Sequence, residues 1–325
     1  MRIRQRPYIR KTKPPTFRLT RRDRHILETI HAFDGILSLK QIERLYFSGS
    51  RGTWPRERLR GLFHNGYLNM PDPANIHRVP LGETIYFLGE KGAAFVAGLR
   101  GEVLRNFPWR RQPRWSLISH DLAVNNFRID VIDATQASHF LSLHHWTPES
   151  EFWAYPDKVE YRTASGTTRK RRVIPDGLFT IRRPDAVRPG VTEELAFLLE
   201  IDMGTEDNPR FAREKVRPGV AYLKSQAYKK RFGIDYGRWL VVTTSQKRLE
   251  NMAAQAERAG GSELFYFITF DSVSAETTLT QPIWRLVGSE NNRSLVPTSH
   301  IQYPGQTGQL TATMPLAAGM RFSVG

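Results

Sequence analysis

Residues 197–206 read Phe-Leu-Leu-Glu-Ile-Asp-Met-Gly-Thr-Glu, and this stretch decides the fold class of the second half of the chain. An unbroken apolar run from Leu195 leads into it, as is typical of a strand in a mixed sheet covered on both faces. Side chains alternate along a strand, so Glu200 and Asp202 share one face and Ile201 points to the other. The strand therefore ends in two carboxylates that point the same way.

A second motif, Ile174-Pro-Asp-Gly-Leu-Phe, lies earlier in the chain, on a predicted strand at 171–181. We expect its Asp176 to converge with Glu200 and Asp202. Three carboxylates suit Mg²⁺ or Mn²⁺, which bind through a few acidic oxygens and keep waters and substrate phosphates in their shell. The three acids are therefore predicted metal ligands, and a water bound to that metal would attack a phosphodiester.

The elements around these motifs alternate between helix and strand. The predicted helices are 118–134, 209–231 and 246–259, and the predicted strands are 139–146, 171–181, 194–202, 237–244 and 263–270. Their order, α-β-β-β-α-β with additions, predicts an α/β (α+β) domain with a mixed sheet over residues 118–287. Residues 288–325 are rich in Ser, Gly, Pro, Thr and Gln, and we expect a loosely ordered tail there.

The first part of the chain is a series of helices. Thr20 and Asp23 have the spacing of a capping box ahead of an apolar helix, which Asp34 ends, and Ser38 caps a second helix. The predicted elements that follow are helix 39–46, a helix from Pro55 to Gly66, a strand at 84–88, a helix from Glu90, and a Pro/Trp/Arg-rich linker at 106–117. The order helix, helix, helix, wing, helix predicts a winged helix-turn-helix over residues 20–105.

Positive charge is concentrated in this first part. The full chain has a formal net charge of +16 and a sequence pI of about 10.3. Residues 1–60 hold sixteen Lys or Arg against five Asp or Glu, a net charge of +11. Because phosphate neutralisation supplies most non-specific affinity for DNA, duplex DNA is the expected partner.

Two features carry the predicted DNA contacts. The exposed face of the third helix is expected to enter the major groove. Its candidate contacts are Arg51, Arg56, Arg58 and Arg60. Residues 1–19, with Arg and Lys between prolines, are expected to form a flexible basic arm that lies along the DNA. The alternative is a helical bundle whose basic face and arm are only solvated.

Composition excludes several classes of protein. The chain has no cysteine, which rules out disulfides, zinc fingers, Fe–S clusters and thiol nucleophiles. No stretch approaches the roughly 20 apolar residues of a membrane span, and the N-terminal Met-Arg-Ile-Arg-Gln-Arg lacks an apolar signal region. We therefore expect a soluble, cytoplasmic protein with no membrane partner. The motifs of P-loop NTPases, Rossmann dehydrogenases and esterases are absent.

The acidic motifs resemble a known core. Asp176 matches the Asp of the PD-(D/E)XK nuclease-like core, and Glu200 matches its acidic second position. A segment that reads His120-Asp-Leu-Ala-Val-Asn-Asn-Phe opens this part of the chain. With the predicted winged helix in front, the whole layout resembles the replication-relaxation family of plasmids and mobile elements over roughly residues 20–270.

The chain departs from the nuclease pattern at one position. The pattern places lysine two residues after the second acid, where this chain has Asp202. That lysine offsets charge on the phosphate, a role that another cation can fill. Lys215 on the following helix is the best substitute, ahead of Lys224. In a competing interpretation, Glu200 and Asp202 merely end a buried strand and Lys215 is a solvated helix residue.

The resemblance implies two alternative functions. One is a Mg²⁺- or Mn²⁺-dependent DNA nickase or endonuclease of plasmid replication or transfer, with Asp176, Glu200, Asp202 and Lys215 as catalytic residues. The other is a non-catalytic regulator of replication or transcription whose nuclease-like domain is inert. Replication or transfer proteins are further partners that the resemblance implies.

Overall fold

The computed structural model describes residues 9–49, 53–184, 191–205 and 207–297. The chain divides into two compact units, Met1–Ile129 and Asp130–Gly325. The division falls inside helix α5 (Ile118–Gln136). The linker at 106–117 and the other domain limits stay predictions.

The first unit combines helices with a small antiparallel sheet of strand order β1-β3-β2. Its helices are α1 (Arg21–Ala32), α2 (Leu39–Tyr46), α3 (Trp54–His64) and α4 (Glu90–Leu99), and its strands are β1 (Ile36–Ser38), β2 (Leu68–Asn69) and β3 (Ile85–Leu88). The helices lie where the periodicity predicted them. Strands β1 and β2 were not predicted, because three and two residues are too few to show alternation.

Local capping fixes where the first helices begin. The Thr20 hydroxyl accepts from the Asp23 N–H, and the Asp23 carboxylate accepts from the Thr20 N–H at 2.6 Å, so the predicted capping box is confirmed. Ser38 and Gln41 form the same reciprocal pair ahead of α2. Each box satisfies backbone donors that a helix start leaves unpaired.

The second unit contains a mixed sheet of strand order β12-β11-β10-β9-β8-β7-β4. Its strands are β4 (Ser142–Pro148), β7 (Gly177–Pro184), β8 (Thr192–Ile201), β9 (Arg238–Thr243), β10 (Phe265–Thr269), β11 (Trp284–Leu286) and β12 (Asn292–Arg293). A separate antiparallel ribbon pairs β5 (Asp157–Arg162) with β6 (Thr168–Val173). Strands β8, β9 and β10 run parallel, and the other pairs in the sheet are antiparallel. The predicted mixed α/β class is confirmed.

Several elements of this unit differ from their predicted limits. Its helices are α6 (Glu149–Ala154), α7 (Asn208–Phe211), α8 (Arg217–Leu223), α9 (Gln226–Phe232) and α10 (Gln246–Arg258). The strand predicted at 171–181 is two strands, separated around Pro175, which cannot donate a ladder hydrogen bond. The helix predicted at 209–231 is interrupted by a π-helical turn, Ala212–Val216. Pro218 follows that turn and removes the N–H that an α-helix would direct to the carbonyl of residue 214.

Strand β8 is buried on both faces, as its apolar run predicted. Phe197 and Leu198 point to opposite faces, and neither has any exposed surface. Leu198 belongs to a cluster that includes Trp239, whereas the Phe197 ring stacks on Phe179 with 5.2 Å between centroids. Within the described ranges, no helix is both long and apolar enough to cross a membrane.

Candidate functional site

Asp176 lies one residue before β7, beside the end of β8. Its N–H donates to the Leu199 carbonyl at 2.9 Å, and its carboxylate accepts from the Ile201 N–H at 2.6 Å. These two bonds hold Asp176 against the backbone on either side of Glu200. The following Gly177 is needed for close packing, since a Cβ there would lie 3.1 Å from the Trp146 ring. The two predicted acidic motifs are thus brought together by β7–β8 pairing.

Lys215 completes this group from a different element. Its Nζ lies 2.6 Å from Glu200 Oε1 and 2.9 Å from Oε2. The lysine belongs to the π-helical turn, a type of helix irregularity that is frequent at functional sites. Its side chain is 30% exposed, against 11% for Glu200, so the pair is open to solvent on the lysine side. Because the strand lysine is missing, a substitute lysine had to contact the second acid from another element. In the structure, Lys215 makes that contact with Glu200.

Asp202 does not join Asp176 and Glu200. Its carboxylate is held by Arg248 of α10, with Nε–Oδ2 at 2.5 Å and Nη2–Oδ1 at 2.7 Å, and Thr243 donates to Oδ2 at 2.5 Å. Asp202 follows the last residue of β8, and its N–H still donates to the Val242 carbonyl of β9 at 2.8 Å. In the described part of the chain, no three His, Cys, Asp or Glu side chains lie together as a metal-binding group. The predicted three-carboxylate site is therefore corrected to two acids and a lysine.

A cavity of about 370 Å³ opens beside this group. Its lining residues are Glu149, Trp153, Arg171, Arg172, Val173, Ile174, Asp176, Glu214, Lys215, Pro218 and Trp239. Burial raises the pKa of Glu214, but hydrogen bonds from Arg171 and Arg210 outweigh it and hold that pKa below its usual value. The buried indole N–H of Trp239 has no acceptor among the described residues. The lining thus carries three cations and three acids, and two of the cations, Arg171 and Lys215, are paired with acids.

Sequence reasoning missed several of these residues. Arg248, which binds Asp202, gave no signal, because an ordinary helix arginine does not reveal its partner. Arg171 and Arg172 did give a signal in the sequence. They belong to a run of four cations, residues 169–172, just ahead of the Asp176 motif.

In the first unit, the arginines predicted on α3 separate into two kinds. Arg56 and Arg60 are exposed, and neither forms an ion pair with a described residue. Arg58 is different, because its Nε donates to Asp23 Oδ1 at 2.9 Å, its Nη2 donates to Asp23 Oδ2, and the guanidinium lies 4.1 Å from the Phe17 ring centroid. Arg58 therefore links α3 to the start of α1, and its DNA contact stays a prediction. Arg51 lies outside the described residues.

The Arg58–Asp23 pair is buried on its acidic side. The Asp23 side chain is 0% exposed and that of Arg58 is 21% exposed. Burial raises the pKa of Asp23, but hydrogen bonds from Arg58 and Thr20 more than offset it and leave the pKa below its ordinary value. The carboxylate therefore stays ionised in the folded unit.

The described part of the basic arm packs on α3 and the strand after it. Arg10 donates to the carbonyls of Phe63 at 2.9 Å and Leu68 at 3.0 Å, and the Lys11 N–H donates to His64 Nδ1 at 3.2 Å. Arg10 and Lys11 therefore contact α3 and β2 in the structure, and the flexibility of the arm stays a prediction. Residues 1–8 of the arm lie outside the described ranges.

This packing gathers positive charge around His64. Burial lowers the pKa of His64, and the charges of Lys11, Arg60 and Arg10 lower it further. A basic surface thus joins the arm to the last turn of α3. We call it the arm–α3 surface, and its members are Arg10, Lys11, Arg56 and Arg60.

Fold and site together define a mixed α/β protein. Its first unit is basic and rich in helices, and its second unit brings Asp176, Glu200 and Lys215 together beside two paired strands. Residues 27–235 match the family model described as replication-relaxation. Because the match spans more than half of the chain, the protein belongs to the replication-relaxation family. This membership associates it with the replication or relaxation of DNA. Searches of curated proteins and of solved structures found no match.

Proposed function

We propose that the protein binds duplex DNA through its first unit and serves plasmid or mobile-element replication or transfer. The arm–α3 surface is the main support. Arginines on an exposed helix face reach guanine edges or phosphates when the helix lies in the major groove. Lys11 would extend this contact along the backbone, because the hydrogen bonds of Arg10 place the arm beside the helix. Binding would therefore depend strongly on salt.

The test is a double variant, Arg56→Ala with Arg60→Ala. We expect duplex affinity to fall and the slope of log K against log salt to flatten by about 0.9 for each phosphate that the variant no longer neutralises. Lys247→Ala with Arg258→Ala removes two exposed cations from α10 and is the matched control. Unchanged affinity and slope in the α3 variant, or equal losses in the control, would refute this surface.

For the second unit, we propose cleavage of a phosphodiester at Asp176, Glu200 and Lys215. The observation that carries this proposal is the 2.6 Å contact of Lys215 with Glu200, beside Asp176 and facing the cavity. In hydrolysis, a water oxygen forms a new bond to phosphorus while the bond to the leaving sugar oxygen breaks. Lys215 would offset the negative charge that grows on the phosphate oxygens.

Two carboxylates are enough to hold Mg²⁺ or Mn²⁺, because such ions keep waters and substrate phosphates as their other ligands. Asp176 and Glu200 would hold the ion, which would supply Lewis-acid chemistry when bound. Asp202 would take no part. Its oxygens are occupied by Arg248 and Thr243.

The test combines a stability titration with a nicking assay on supercoiled plasmid. We expect Mg²⁺ or Mn²⁺ to raise the melting temperature and to support nicking. Asp176→Asn should abolish nicking, and Lys215→Met should slow it by roughly 100-fold. Lys224→Met, an exposed lysine on the same stretch of helices, is the control. If wild type gains no stability from either metal and nicks no DNA, the cleavage proposal fails.

A second candidate is a replication or transcription regulator with an inert nuclease-like unit. One observation favours it: the position two residues after Glu200, where the nuclease pattern has lysine, holds Asp202, and that carboxylate is bound by Arg248 and Thr243. This candidate predicts intact duplex binding without metal response or cleavage. The same two assays distinguish the candidates.

A further inference from the structure

The β5–β6 ribbon has one buried and one exposed face. Opposite residues of an antiparallel pair share a face, and faces alternate along each strand. Val159, Tyr161 and Val173 form the buried face. The exposed face carries Lys158, Glu160, Arg162, Thr168, Lys170 and Arg172. This outer face therefore presents four cations and one acid to solvent.

Among the described residues, one of the four cations of this face has an acidic partner. Lys170 lies 3.6 Å from Glu160, and both side chains are more than 60% exposed. Lys158, Arg162 and Arg172 form no ion pair with any described residue. Lys158 also stands directly opposite Arg172, and like charges in that position destabilise a ribbon. A polyanion along the ribbon would relieve that repulsion.

An exposed aromatic ring lies where the ribbon meets the cavity. Trp153 is 54% exposed, and Trp153 and Arg172 both line the cavity that holds Asp176 and Lys215. The Trp153 indole N–H donates to Glu149 at 2.9 Å, which holds the ring in place on α6. Exposed aromatic rings beside a basic groove are the usual means of binding single strands, because every base can stack on them. In an intact duplex, base faces are not accessible to such a ring.

From this juxtaposition we propose that the outer face of the β5–β6 ribbon and Trp153 bind a single strand of DNA. The phosphates lie along Lys158, Arg162, Lys170 and Arg172, and a base stacks on Trp153 at the mouth of the cavity. This site is separate from the duplex-binding surface of the first unit. It would present a single strand to the group formed by Asp176, Glu200 and Lys215.

The first experiment measures binding of the full chain to a labelled oligothymidylate over a range of salt. A ribbon variant combines Lys158→Ala, Arg162→Ala, Lys170→Ala and Arg172→Ala. We expect weaker binding and a salt slope reduced by about 0.7 for each single-strand phosphate that is no longer neutralised. A control removes four exposed cations elsewhere in the second unit, Lys230, Lys247, Arg258 and Arg293. An unchanged slope in the ribbon variant, or an equal change in the control, overturns the proposal.

The second experiment tests the stacking site. Trp153→Ala should lower single-strand affinity by roughly tenfold, and Trp153→Phe should retain most of it, because base stacking needs an aromatic ring. Duplex affinity and melting temperature should not change in either variant. A loss confined to the duplex would mean that the ribbon binds double-stranded DNA, and the proposed occupant would be wrong. Because Arg56→Ala with Arg60→Ala tests the first unit alone, failure of that proposal is distinguishable from failure of this one.

Discussion

Glu200 and Asp202, at the end of β8, are two residues apart, and their charged partners differ. Glu200 contacts Lys215, whose side chain is 30% exposed and lines a cavity. Asp202 contacts Arg248 through two parallel hydrogen bonds and receives a third from Thr243. A lysine is a mobile point charge, whereas a bidentate arginine holds a carboxylate in one geometry. The comparison shows that two acid–base pairs beside one strand end can differ in the geometry and the exposure of the cation.

The same contrast appears on α3 in the first unit. Arg58 contacts the fully buried Asp23, and Arg60 is exposed two residues later. Both were equally good candidates for DNA contacts in the sequence. Only the first has a buried acid within reach, so Arg58 serves the fold and Arg60 remains available to a partner.

The largest loss of stability is expected at the Asp202–Arg248 pair of the second unit. Arg248→Ala should lower the free energy of unfolding by about 4 kcal/mol, because it leaves the 7%-exposed Asp202 side chain charged and unpaired. Denaturant unfolding measures this change. Arg248→Lys should recover only part of the loss, since a lysine cannot make the bidentate contact. A loss below about 1 kcal/mol is typical of a solvent-exposed ion pair. It would contradict the proposed difference between the Asp202 and Glu200 pairs.

A somewhat smaller loss of stability is expected at the Asp23–Arg58 pair of the first unit. Arg58→Ala should cost about 3 kcal/mol of stability, because Asp23 has no other charged partner among its hydrogen bonds. Arg60→Ala, on the same helix, should change stability by no more than about 0.5 kcal/mol while weakening DNA binding. Equal stability losses in the two variants would contradict the distinction between them.

The pH dependence of the Arg58→Ala loss sharpens this point. The pKa of folded Asp23 lies below its unfolded value of roughly 3.9, so its contribution is present above that pH and disappears as pH falls through the folded pKa. Without Arg58, burial raises the pKa of Asp23. The variant then regains stability as the pH falls, because protonation removes the buried charge. The difference between wild type and variant should therefore shrink by about 2 kcal/mol between pH 7 and pH 3. Urea unfolding at both pH values measures it, and a constant difference would argue against an ionised Asp23.

Of the three ion pairs, the smallest loss of stability is expected at the candidate site. Lys215→Met should lower the free energy of unfolding by about 2 kcal/mol, because the Glu200 side chain is 11% exposed but the lysine is 30% exposed and the methionine keeps most of its apolar contacts. Denaturant unfolding beside Arg248→Ala gives the direct comparison. A loss as large as that of Arg248→Ala would make Glu200–Lys215 a structural pair and weaken the cleavage proposal.

The sequence by itself determined the local features. The capping box at Thr20, the N-cap at Ser38 and the apolar periodicity after them located α1 and α2, because helix starts depend on residues within one turn. The apolar run before Glu200 identified a strand buried on both faces. The β5–β6 ribbon was missed, because its buried side shows only short alternation among charged residues.

Only the tertiary structure decided which charge neutralises which. Asp202 and Arg248 are 46 residues apart in the chain, and Asp23 and Arg58 are 35 residues apart. Periodicity states which face of an element a side chain occupies, but not which element packs against that face. Coulombic and hydrogen-bond energies depend on distance in space, so the fate of each carboxylate was settled only when the elements packed together.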